Sequence, residues 1–135
     1  MTSDLQTGGK AMEDKEERLL AEEILLQKIV RYIDEVPSAS LQDVRDTFAL
    51  TARDFTNLFH RHLNTSPTEY LRNKRIKRAK WLLTRTRKSI DEISRECGIG
   101  GSALGTLFRK YVGCNPTDYR RQYLRKKYQR NNKLK

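Results

Sequence analysis

Apolar residues recur along this chain at helical spacing and never hold the two-residue period of a strand over a useful length. Leu19, Leu26, Ile29, Val30 and Ile33 keep one face of a helix across residues 16–36, and Pro37 ends that run. Beyond it the chain is divided by polar residues followed three positions later by an acid. Ser40 with Asp43, Thr51 with Asp54, Ser66 with Glu69, Ser89 with Glu92 and Asn115 with Asp118 make five such pairs. In a capping box the first side chain satisfies a free backbone N–H and the third-position carboxylate reaches back. Pro67 and Pro116 follow two of these caps, at first helical positions where a missing N–H costs little. The signals predict seven helices, at about 16–36, 40–47, 51–63, 66–85, 89–97, 101–112 and 115–128. The expected fold class is all-α.

The pattern also repeats itself at an offset of 49 residues. Leu41 to Val44 is echoed by Ile90 to Ile93, Phe48-Ala49-Leu50 by Cys97-Gly98-Ile99, and Phe55, Leu58 and Phe59 by Leu104, Leu107 and Phe108. Ser66-Pro67-Thr68-Glu69-Tyr70 returns as Asn115-Pro116-Thr117-Asp118-Tyr119. A repeat of this length is one supersecondary unit used twice. In each copy two short helices flank a tight turn holding a small residue, Ala49 or Gly98, which predicts two helix-turn-helix subdomains. The stripe of Phe55, Leu58 and Phe59, and its echo, is core; side chains off that stripe are the ones able to enter a groove. The expected organisation is a flexible acidic tail over 1–15, a first subdomain over 16–66 and a long basic linker helix over 67–85. A second subdomain over 86–128 and a basic tail over 129–135 complete it.

Charge sharpens this picture. Residues 1–23 carry a net charge of −4, and the remainder carries +15. Arg72 to Lys88 holds nine Lys or Arg and no acid, the electrostatic footprint of a polyanion binder. A basic surface can also be merely solvated, but here the charge coincides with the repeat. No apolar run of about 18 residues occurs, so no membrane span is expected. No basic-then-apolar start is visible, so no secretory signal is expected and the chain is placed in the cytoplasm. Cys97 stands where the first repeat has Phe48, which makes it a core thiol rather than a ligand or nucleophile. His60 and His62 lie two apart on a helix and face different ways. No Gly-rich phosphate loop, paired-Cys motif or nucleophile elbow appears, so neither an enzyme nor a metal or cofactor site is expected. RNA modules that read sequence use an exposed aromatic platform, and this chain offers none.

Residues 40–121 resemble the DNA-binding domain of AraC/XylS-type bacterial transcription activators. The resemblance runs through Ser40-Leu41, Phe55-Thr56-Asn57-Leu58-Phe59, Tyr70-Leu71-Arg72 and Arg75-Ile76-Lys77-Arg78-Ala79. It continues through Leu82-Leu83, Ser89 to Ile93, Cys97-Gly98-Ile99, Leu107 to Lys110 and Asn115 to Arg120, about three-fifths of the chain. With the 16–36 helix added, the layout is similar to the short stand-alone activators of multidrug and superoxide resistance. That resemblance implies a monomer that places its two second helices in successive major grooves of double-stranded DNA, and contact with RNA polymerase. Those grooves lie about 34 Å apart on one face. A linking helix from Ser66 to Arg85 would span about 30 Å, with some DNA bending for both helices to seat. No small-molecule ligand domain is expected.

Carried over residue by residue, the resemblance makes Arg53, Thr56 and Asn57 base readers in the first motif. Arg53 would fork to guanine and Asn57 reach an adenine edge; phosphate contact is the other reading of Arg53. In the second motif the base-reading candidates are Ser102 and Thr106, the only residues there able to hydrogen-bond, beside Gly101, Ala103 and Gly105. Family members usually have one more residue in the second turn than in the first, whereas here the two spacings are equal. The second motif is therefore expected to hold phosphate more than to read sequence. Thr51, Lys74, Lys77, Arg78, Arg85, Arg87, Lys88, Arg109 and Lys110 are the phosphate candidates; the other reading of Arg75 and Arg78 is as partly buried structural residues of the linking helix that pair with acids. The basic end from Arg120 either adds non-specific affinity or is a solvated end. A family member that acts chiefly through RNA polymerase or a partner regulator is the alternative function.

Overall fold

The computed structural model describes the backbone of residues 3–133 and the side chains of residues 13–132. Its described residues form seven helices and no strand. These are α1 (Ser3–Glu35), α2 (Leu41–Thr47), α3 (Ala52–Leu63), α4 (Pro67–Arg85), α5 (Ile90–Glu96), α6 (Ala103–Tyr111) and α7 (Pro116–Lys133).

All five predicted caps form. Ser40 and Ser89 make complete capping boxes with Asp43 and Glu92. The Thr51 and Ser66 hydroxyls accept from the Asp54 and Glu69 N–H groups, each at 3.1 Å, and Asn115 Oδ1 accepts from the Asp118 N–H at 2.7 Å. Each bond satisfies one of the orphan donors that a helix start exposes, which fixes where α2, α3, α4, α5 and α7 begin.

Two hydrophobic clusters follow the repeat. The first joins Leu26, Ile29 and Ile33 of α1 to Val44, Phe55, Leu58, Phe59 and Leu71. The second joins Ala79, Leu82 and Leu83 of α4 to Ile93, Cys97, Ile99, Leu104 and Phe108. Helix α4 thus gives its start to one core and its end to the other. Equivalent aromatic pairs close both: Phe59 meets Tyr70 edge-on at 5.3 Å, and Phe108 meets Tyr119 edge-on at 5.8 Å. The turns match as well. Leu50 N–H donates to Arg45 C=O at 2.9 Å, and Ile99 N–H donates to Ser94 C=O at 2.8 Å.

Three boundaries differ from the sequence reading. Helix α1 begins at Ser3, so residues 3–15, expected as a flexible acidic tail, carry helical backbone. That segment has no proline to interrupt the helix. Helix α7 likewise runs on to Lys133, through the start of the expected basic tail. Helix α6 begins at Ala103, not at Gly101. Its turn position Gly100 is the counterpart of Thr51 and has no side chain with which to cap, and Gly101 takes a left-handed φ of 46°. Ser102, the residue preceding α6, makes no side-chain cap bond.

Two arginines lock the helix connections. Arg75 donates to the Ala39 carbonyl at 3.0 Å, while Arg120 donates to those of Leu83 at 3.0 Å and Lys88 at 2.6 Å. Ala39 and Lys88 are equivalent positions in the repeat, each just before a capping serine. Arg75 therefore pairs with a carbonyl rather than with an acid, and Arg78 is exposed, with no ion pair among the described residues.

Candidate nucleic-acid interface

Helix α3 presents one polar edge. Its Thr51 cap puts Arg53 in the first turn, and Phe55, Leu58 and Phe59 turn inward, which leaves Arg53, Thr56 and Asn57 exposed. Positions three and four apart share a helix face, so these three side chains lie together. Arg53 makes no ion pair among the described residues.

Helix α6 is a weaker counterpart. Leu104 and Phe108 are fully buried, and Thr106 is exposed. The Thr106 hydroxyl donates to the Ser102 carbonyl at 3.5 Å, so this polar group is partly engaged within its own helix. Ser102 sits before the first helical residue, whereas its repeat equivalent Arg53 sits inside α3.

The phosphate candidates divide. Lys74 is bound to Asp34 at 3.2 Å, and Lys88 is ion-paired with Glu96. Burial lowers the Lys74 pKa, but its bonds to Asp34 and Tyr70 outweigh this and leave it above the ordinary 10.5. Lys77, Arg78, Arg85, Arg87, Arg109 and Lys110 make no ion pair among the described residues and are, all six, exposed. The Thr51 hydroxyl serves as the α3 cap, which leaves its proton free to donate. Burial disfavours the Arg75 cation and lowers its pKa. Arg72 stacks its guanidinium 4.1 Å over the Tyr111 ring, tying α4 to the end of α6.

Some positioning residues escape a sequence reading. Glu22 of α1 bonds Arg61 at 2.5 Å and His62 at 2.7 Å, which fastens α3 to α1. Burial pushes the Glu22 carboxyl up, yet the His62 and Arg61 bonds prevail and hold it below the ordinary 4.5. Lys15, Arg18 and Glu22 also share a groove with Asp54, Asn57 and Arg61 of α3. Their sequence separation of about 40 carries no periodic signal. Cys97 is wholly buried, and burial pushes its thiol up to about 11, so it stays protonated and inert near neutrality.

No helix among the described residues is long and apolar enough to cross a membrane. A helix-turn-helix domain model matches residues 46–122. The chain is 30% identical over 111 residues to the uncharacterized HTH-type transcriptional regulator YdiP of Escherichia coli strain K12, covering 80% of this chain and 37% of YdiP. Against the HTH-type transcriptional activator RhaS of Enterobacter sp. strain 638 it is 29% identical over 98 residues, 70% of this chain and 35% of RhaS. The chain thus spans little more than a third of the length of the curated relatives it matches. Among solved structures, the DNA-binding domain of the global transcriptional factor AdpA, in complex with a target DNA, superposes with a TM-score of 0.71 at 25% identity. That match covers 77% of this chain and 96% of the AdpA domain.

Proposed function

The chain belongs to the AraC-type helix-turn-helix family, and from that premise we propose that it is a sequence-specific regulator of transcription that binds double-stranded DNA as a monomer. The observation that carries the proposal is the free polar edge of Arg53, Thr56 and Asn57 on a capped helix that its own core holds rigid. Arginine forks onto guanine, and asparagine pairs bidentately with adenine in the major groove. A second helix-turn-helix on the same chain supplies a second groove contact without a dimer. Helix α4, 19 residues long, spans about 28 Å, a little short of the spacing of successive grooves, so DNA bending closes the difference. Lys77, Arg78, Arg85, Arg87, Arg109 and Lys110 supply phosphate contacts. Such a protein works on DNA in the bacterial cytoplasm, carries no catalytic group, and activates through contact with RNA polymerase.

The two readers are unequal in this scheme. The first motif specifies the site; the second holds phosphate at the α6 start, where free N–H groups favour an anion. Selection of bound duplexes from a random pool, followed by affinity measurement at physiological salt, tests the scheme. Expected is a selected site bound at least a hundredfold more tightly than random duplex. Base changes under the first motif should cost about 1–3 kcal/mol each, and those under the second far less. Equal binding of selected and random duplex would replace this reading with the partner-directed one. Equal losses in both half-sites would remove the division of labour.

A further inference from the structure

A cavity of about 340 Å³ lies where the two helix-turn-helix units meet. Its walls come from the end of α1, the connection at Pro37, the length of α4 and Cys97 at the end of α5, and no residue of α3 or α6 lines it. The volume falls in the range of small-molecule sites, which are apolar clefts carrying a few convergent polar groups. Ile33, Leu71 and Leu82 give the apolar wall. Trp81, 58% exposed, stands beside them.

The polar groups are all of one sign once pairs are counted. Asp34 is the single acid in the wall, and Lys74 already binds it at 3.2 Å. Arg75, Lys77 and Arg78 remain. Arg75 is half-buried, gives one N–H to the Ala39 carbonyl, and keeps a buried Nε with no partner. A partly buried guanidinium without an acid is an unfavourable arrangement that an anion in the cavity would relieve. Guanidinium forks match planar carboxylates.

We propose that this cavity binds a small apolar carboxylate, its body against Leu71, Leu82 and Trp81 and its carboxylate on Arg75 and Arg78. The site adjoins a close backbone approach between the units: Gly98, in the second turn, packs against Pro37 and Ser38 of the first connection. An occupant takes Arg78 out of the phosphate-contacting set and restrains that joint. Bound acid therefore weakens DNA binding, a step that rests on the DNA-binding reading above.

Trp81 is the chain's one tryptophan, so its emission reports the cavity directly, with no DNA present. Titration with 4-phenylbutyrate should change that emission saturably. The matched neutral amide, 4-phenylbutanamide, should bind about tenfold more weakly, because a charge-assisted pair is lost. Arg78→Gln should reduce acid binding about tenfold and amide binding by much less, since only the acid loses a charge-assisted pair; Arg78 is exposed, so the variant folds. Saturating acid should then weaken the selected duplex severalfold and lessen the salt slope by about 0.9, the share of one phosphate. A flat Trp81 signal, or an amide that binds as well as the acid, overturns the site whatever the DNA result. A saturable signal with unchanged DNA affinity overturns the control step. Saturable acid binding by a chain that binds no duplex specifically leaves the cavity standing and sinks the DNA reading instead.

Discussion

Gly98→Ala should be far more damaging than Ala49→Gly at its repeat equivalent. Both residues take a left-handed backbone, with φ of 71° and 54°, to close their turns. Alanine already tolerates this conformation at Ala49, which is exposed, so the backbone term alone costs about 1–2 kcal/mol. Gly98 has a second constraint. A Cβ there would lie 2.3 Å from the Pro37 carbonyl oxygen, 2.8 Å from Ser38 Cα and 3.0 Å from the Pro37 carbonyl carbon. All three are backbone atoms, so no flexible side chain can swing aside. Overpacking of this kind adds about 1–3 kcal/mol, which brings the expected loss to roughly 2–5 kcal/mol, a large share of a small domain's stability. Urea denaturation followed by circular dichroism measures it as a lower midpoint at unchanged slope. Ala49→Gly should alter stability by no more than about 1 kcal/mol. A Gly98→Ala loss of 1 kcal/mol or less would refute the close packing of the second turn on the Pro37 connection.

Further expectations follow from the free and engaged groups. With six cations unpaired and two ion-paired, log affinity for duplex DNA should fall with log salt at a slope of roughly −5, against about −7 if all eight reached phosphate; Lys74→Gln and Lys88→Gln should leave the slope unchanged, as fluorescence anisotropy will read. Glu22 has a folded pKa below its unfolded value of 4.5, so its stabilisation is present above 4.5 and lost as pH falls through the folded value. Glu22→Gln should accordingly flatten the acid limb of the stability curve, and cost about 1 kcal/mol at pH 7; an unchanged acid limb counts against the Glu22 bonds. Gly105→Ala places its methyl 3.9 Å from the flexible end of Arg109 and nothing closer. Thermal melts should show a gain of about 1 kcal/mol from restored helix propensity, and a loss would mean that α6 is packed differently.

What could be read from sequence was local. Each cap is a bond between residues three apart, and each core stripe repeats at helical spacing, so Ser40, Thr51, Ser66, Ser89 and Asn115 announced their helices. The small residue in each turn, Ala49 or Gly98, followed from the left-handed backbone a tight reversal needs. The hidden contacts join residues that are distant along the chain and obey no period. Arg75 reaches Ala39 across 36 positions, Arg120 reaches Lys88 across 32, and Glu22 reaches His62 across 40. The pairs that engage Lys74 and Lys88 are of both kinds, and neither lies at a helical i,i+4 spacing that would mark it. The start of α6 lies two residues beyond the predicted Gly101, although a signal for it is visible in the sequence. Gly100 stands where Thr51 caps, and a glycine there offers no side-chain oxygen.

That lost cap explains why equal spacing in sequence produces unequal helices. The cores hold register, because Leu104 and Phe108 are buried as Phe55 and Phe59 are. The chain between core and turn does not. In α3 three helical residues, Ala52, Arg53 and Asp54, precede the first core phenylalanine; in α6 only Ala103 precedes Leu104. Side chains in the first turn of a recognition helix are the ones that reach base edges. Removing most of that turn shifts Ser102 off the helix and leaves α6 without a side-chain cap, the Ala103 N–H donating instead to the Gly100 carbonyl at 3.0 Å. A single difference in cap residue, Thr51 against its counterpart Gly100, therefore accounts for a shorter α6 with fewer side chains ahead of its core, on an otherwise matching unit.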